Sequence, residues 1–114
     1  MKSEANMKTT NNDAFFTYSR ANPIHPGEIL REELLTPLGI SPQELALALG
    51  MSVTFITDII NENLGITAET ALRLARYFGT SSRFWVELQV CWELQVAEKE
   101  FGAVIRRDVN PRTG

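Results

Sequence analysis

The sequence predicts an all-α fold of five helices with an extended C-terminal helix, and three observations carry that prediction. Apolar residues recur at three- and four-residue intervals from Ile29 onward, with no strand-like alternation. Helix-start signals stand before each periodic run: His25-Pro26, Ser41-Pro42, Ser52, Thr67 and Ser81-Ser82. Gly39, Gly50 and Gly79 close three of the runs, as glycine commonly does at helix ends.

Residues 1–22 are polar and without period, and read as a flexible N-terminal arm. Phe15, Phe16 and Tyr18 interrupt it, either as an aromatic latch onto the domain or as a docking element for another protein. The folded domain is expected over residues 23–101, with a frayed C-terminal tail over 102–114. The first helix starts at His25-Pro26-Gly27-Glu28, with proline near its first position and an acid in its first turn. Ile29, Leu30, Leu34 and Leu35 give its apolar face, and Thr36-Pro37-Leu38-Gly39 stops it. Ser41 and Glu44 have the spacing of a capping box, so a second helix runs from Pro42 to Leu49. Ser52 caps a third helix reaching about Asn61, and a loop follows from Glu62 to Ile66. Thr67 caps a fourth, with Ala71, Leu72, Ala75 and Phe78 (and Ala68) as its buried stripe, ended by Gly79. The fifth starts at Ser81 or Ser82 and runs to about Phe101.

The second and third helices fit a helix-turn-helix. That unit packs two helices closely across a tight turn. Ala46 supplies the small residue at the approach, and Gly50 the positive φ of the turn. Ile56, Ile59 and Ile60 then bury one side of the third helix. The fifth helix has two apolar sides. Phe84, Trp85, Leu88, Cys91, Trp92 and Val96 fall on one, at about 100° per residue. Val86, Val90, Leu94, Ala97 and Phe101 fall on the other. A small domain covers one such stripe. The second stripe therefore predicts a homodimer interface, twofold by preference.

The chain of 114 residues has one cysteine, no internal disulfide and a net charge of −3. It has no membrane-length apolar run and no secretory leader, which fits a cytoplasmic protein. His25 is the only histidine, so no metal cluster is expected; Cys91 lies in an apolar stripe without an activating base. Glu32 and Glu33 are adjacent and diverge on a helix. No cofactor, metal or catalytic residue is expected, and an enzyme is excluded.

Binding is the remaining class. The second helix of a helix-turn-helix enters the major groove of a duplex. The candidate DNA-binding residues are Ser52, Val53, Thr54, Phe55, Thr57, Asp58 and Asn61, with Gln43 placed for a phosphate contact. Asn61 offers the donor and acceptor that adenine presents, and Val53 and Phe55 suit a thymine methyl. Charge opposes this reading. Residues 24–97 hold four arginines (Arg31, Arg73, Arg76 and Arg83) against nine acids, a net of −5. Phosphate neutralisation supplies most sequence-independent affinity. The four arginines would need to cluster on the phosphate path.

Two stretches, NPIHPGEILREELLTPLGISPQELALALGMS and GITAETALRLARYFGTSSRFWVELQVCWELQVAE, resemble the HigA-type antitoxins, also called addiction-module antidote or VapI-like proteins, of the lambda-repressor-like helix-turn-helix class. The resemblance covers roughly residues 23–98. It implies a dimeric antitoxin of a type II toxin–antitoxin module, with two partners: double-stranded operator DNA and a HigB-like RNA-cleaving toxin. The chain departs from the family at Val53 and Asp58, where basic residues are common, and at Asn61-Glu62-Asn63, where Asn-Gly-Lys is usual. Two alternatives stand beside this reading: a protein-interaction module with weakened DNA binding, and a stand-alone phage-type repressor.

Overall fold

The computed structural model describes residues 23–113. The expected arm over residues 1–22, with Phe15, Phe16 and Tyr18, lies outside them. Among the described residues there are five helical segments and no strand. They are α1 (residues 26–38), α2 (Pro42–Leu49), α3 (Val53–Ile60), α4 (Ala68–Phe78) and α5 (Ser82–Asp108). The chain forms two compact units: Ile24–Val90, and a second that holds the residues from Cys91 onward.

The start signals act as their chemistry requires. Ser41 Oγ accepts from Glu44 N–H at 3.0 Å while Glu44 Oε1 accepts from Ser41 N–H at 2.8 Å, a complete capping box. Ser52, Thr67 and Ser81 cap α3, α4 and α5 through single side-chain acceptors. Gly39, Gly50 and Gly79 end α1, α2 and α4 in the left-handed region, with φ of 68°, 69° and 76°.

Helix α1 departs from a uniform α-helix. It runs through Thr36-Pro37-Leu38, which the sequence predicted as its stop, and ends at Gly39. Its middle, Leu30–Leu35, is a π-helix, and Thr36 N–H reaches back to Arg31 C=O. Pro37 supplies the reason. Its ring collides with the carbonyl four residues earlier in an α-helix and it has no N–H to donate. A wider turn before it relieves both problems.

Helices α2 and α3 pack together, the first turn of α1 packs on α3, and α2 packs on α4. Their core comprises Leu30, Leu45, Ala46, Leu49, Ile56, Ile59, Leu74 and Trp85, among others. Its buried polar groups are satisfied: Gln89 Oε1 accepts from Ile66 N–H at 2.7 Å, which ties the loop after α3 to α5, and Trp85 Nε1 donates to Thr80 Oγ1 at 2.8 Å. The buried face of α4 differs from expectation. Thr70, Ala71 and Leu74 are buried, whereas Leu72 and Ala68 are exposed. Leu72 lies a further 100° round the helix from Ala71 and so leaves the face that 71, 74 and 78 share.

In the second unit α5 continues to Asp108, beyond the expected end at Phe101, so the start of the predicted 102–114 tail is helical. Glu98 and Arg106 pair at 2.6 Å across Gly102, whose missing side chain leaves room for the carboxylate. Arg106 and Arg107 lie in the last turn, where cations oppose the helix dipole favourably.

His25 is 3% exposed and caps α1, its Nδ1 accepting from Gly27 N–H at 2.8 Å. Burial holds its pKa below the ordinary 6.5, with Glu62 pulling the other way. The unfolded chain therefore binds the proton first, and stability is complete above about pH 6.5 and falls as the pH drops below it. His25→Asn keeps an acceptor at the cap and does not titrate. It should flatten the stability profile between about pH 7.5 and about pH 5.5, measured by urea unfolding. An unchanged slope in the variant would exclude His25 as the source.

Gly27 is required for a different reason. A Cβ there would overlap the Ile59 carbonyl oxygen, in the body of α3. Gly27→Ala must push α1 off α3, and is expected to cost about 3 kcal/mol. The thermal midpoint should fall by at least about 8 °C; a wild-type melting curve would refute the close approach.

Candidate nucleic-acid interface

Helix α3 buries Ile56, Ile59 and Ile60 and turns its other side outward. At 100° per residue the outward face centres on Thr54, Asp58 and Asn61, with Thr57 beside them. Ser52, Val53, Thr54 and Asn61 are exposed, as is Gln43 on α2. Phe55, Thr57 and Asp58 are half-buried. Phe55 sits on the edge of the face, lining an open hollow with Gly50, Met51 and Thr70. Ser52 Oγ already accepts from Phe55 N–H at 3.1 Å, which leaves its O–H as the group available to a phosphate oxygen.

Sequence reasoning missed what holds this helix. Arg73, on α4, donates through Nη1 to the Leu49 carbonyl at 2.8 Å and pairs through Nη2 with Glu69 at 2.8 Å. It thereby closes the C-terminus of α2 at the turn. Arg31, on α1, donates through Nη1 to the Ile60 carbonyl at 2.6 Å, closing the C-terminus of α3. Its Nε bonds Glu32 at 3.0 Å and its Nη2 faces Glu62 at 3.4 Å. Those carboxylates, Glu32 first, raise the Arg31 pKa. Arg83 pairs with Glu87 at 2.7 Å along α5. Three of the four arginines, Arg31, Arg73 and Arg83, are thus paired with carboxylates. Arg73 holds the turn between α2 and α3 and Arg31 the far end of α3, while Arg73 and Arg76 line one hollow with Leu72 and Tyr77, and Arg73 lines a second with Ser52 and Phe55. The long separations of these pairs, 29 residues for Arg31 to Ile60 and 24 for Arg73 to Leu49, leave no local signature in the sequence.

On α5, Val86, Val90, Leu94, Ala97 and Phe101 are all exposed. Among the described residues no group of three or more histidine, cysteine or acidic side chains is arranged to hold a metal ion, and no helix is long and apolar enough to cross a membrane.

This geometry defines a helix-turn-helix protein of the lambda-repressor-like class, and the helix-turn-helix family profile matches residues 30–85. Virulence-associated protein I of Dichelobacter nodosus is 52% identical over 77 residues, which span 68% of this chain and 71% of that protein. The solved structure of the Pseudomonas aeruginosa antitoxin HigA with the higBA promoter is 46% identical with a TM-score of 0.79, covering 81% of this chain and 100% of that one. A HigA-family addiction-module antidote protein from Coxiella burnetii is 44% identical with a TM-score of 0.76, over 79% of this chain and 98% of that one. The chain belongs to the HigA-type antitoxin family. It is a helix-turn-helix regulator and not an enzyme.

Proposed function

We propose that this chain is the antitoxin of a type II toxin–antitoxin module, which represses its own operon by binding operator DNA and sequesters a HigB-like RNA-cleaving toxin in the cytoplasm. The observation that carries the DNA half is α3 itself: an eight-residue helix with one side in the core, both ends anchored, and Thr54, Asp58 and Asn61 presented outward. The Pseudomonas aeruginosa relative, solved with the higBA promoter, supports DNA binding by this chain. Thr54 and Asn61 read base edges, Asp58 accepts from a cytosine amino group, and Gln43 and Ser52 fix register on phosphate. Val53, Phe55 and Thr57 flank them as apolar and hydroxyl contacts. The homodimer uses the second stripe of α5, Val86, Val90, Leu94, Ala97 and Phe101, whose exposed apolar surface has the character of an interface. A twofold pair then meets half-sites about 34 Å apart.

One observation favours the weakened-DNA reading as a second choice. The arginines nearest the helix pair are occupied by protein carbonyls and carboxylates. Mobility shift on a duplex from the chain's own promoter separates the two. Binding of two protomers is expected, and Asn61→Ala should weaken specific binding by about 1–3 kcal/mol while leaving random-sequence binding unchanged. No preference for the promoter at low salt would end the operator reading.

The toxin half has an independent test. Co-expression should rescue growth against the toxin encoded beside this chain, and the two should copurify. Failure of both would leave a stand-alone repressor.

A further inference from the structure

Glu62 is the one non-glycine residue among those described with a positive φ, 66°. Glycine occupies that region at less cost, so a long acidic side chain there signals a role for the side chain. Its carboxylate faces Arg31 Nη2 at 3.4 Å, and the same guanidinium holds the Ile60 carbonyl at 2.6 Å. Helix α3 has eight residues, about 12 Å of rise, close to the width of the major groove. A recognition helix lies in that groove with its N-terminal residues on the base edges, so the turn after its C-terminus is carried toward the flanking phosphates. Arg31, with a third of its side chain still exposed, is the cation at that end; Glu32 holds its Nε at 3.0 Å from the side of α1, and Glu62 is the anion that faces its Nη2 from the turn after α3.

We propose that Glu62 is an electrostatic brake on duplex binding: it holds the Arg31 guanidinium on the protein and sets a negative charge against the phosphodiester backbone beside α3. A phosphate and the Glu62 carboxylate compete for one guanidinium. The brake lowers sequence-independent affinity and leaves discrimination to Thr54 and Asn61 on the reading face. This rests on the DNA reading above and adds the regulation of that surface by one residue.

The test uses the full chain with two labelled duplexes, one of random sequence and one from its own promoter, titrated from about 50 to about 200 mM salt. Glu62→Gln removes the charge at the same backbone. It is expected to tighten random-duplex binding about three- to tenfold at low salt and to steepen the log–log salt slope by about one per protomer. Glu62→Gly should give the same slope, and Arg31→Met combined with Glu62→Gln should return the salt slope to wild type. Far-ultraviolet circular dichroism confirms that each variant is folded. Wild-type affinity and slope in Glu62→Gln, with promoter binding intact, would overturn the brake alone. So would a gain that survives loss of Arg31. Absence of binding to either duplex by every variant would bring down the DNA reading itself.

Discussion

The reading surface depends on two long-range hydrogen bonds from arginine to the last carbonyls of short helices. Helices α2 and α3 have eight residues each, too few to persist alone in water. Their first turns are closed locally by serine. Their last turns carry unsatisfied carbonyls. Arg73 meets Leu49 at one C-terminus and Arg31 meets Ile60 at the other. Both bonds are charge-assisted and tie the helix pair to α4 and α1. A helix end so fixed presents side chains at defined positions, which base readout requires. Gly27 adds the steric half of the same constraint, since only a missing side chain lets α1 lie against the Ile59 backbone.

The same bonds set the electrostatics. A guanidinium spent on a protein carbonyl is not offered to phosphate. Residues 24–97 carry a net charge of −5, and three of their four arginines lie beside acids: Arg31 by Glu32 and Glu62, Arg73 by Glu69, Arg83 by Glu87. Exposed pairs of this kind contribute little stability. Their larger effect is on long-range attraction for nucleic acid, which they mute. On the proposed DNA reading, shape and hydrogen bonding at α3 therefore carry a greater share of the affinity than in a basic domain.

What was legible in the sequence was local. Ser41 with Glu44, Ser52, Thr67 and the three glycines act within one turn of their own position, so residue type and spacing reveal them. The inward isoleucines of α3 follow from helical period, and so does the outward position of Thr54 and Asn61. What was not legible depended on packing or on distant partners. Pro37 looked like a stop because the π-turn that accommodates it lies upstream. Leu72 looked buried because it is apolar, yet the angle of α4 is set by Leu74. Gly102 adjoined the expected end of α5, yet the helix continues across it to Asp108. The arginine anchors and the contact of Gly27 with α3 join residues far apart in the chain, and no local pattern announces them.

Asp58 illustrates how the two scales meet. By period it belongs at the centre of the outward face, and by charge it opposes a phosphate-rich partner. In the fold it is half-buried, and its backbone carbonyl accepts from Asn63 and Leu64 N–H at 2.8 and 3.2 Å. Its main chain thus shapes the turn that carries Glu62, while its side chain stays on the reading face. A carboxylate held in the middle of a groove meets base edges rather than the phosphate walls. On the proposed reading, a carboxylate in the turn after the helix faces the phosphates instead. On the proposed DNA reading, the place of each acid, Asp58 within α3 and Glu62 in the turn after it, decides more than the total charge whether it selects a sequence or repels the duplex.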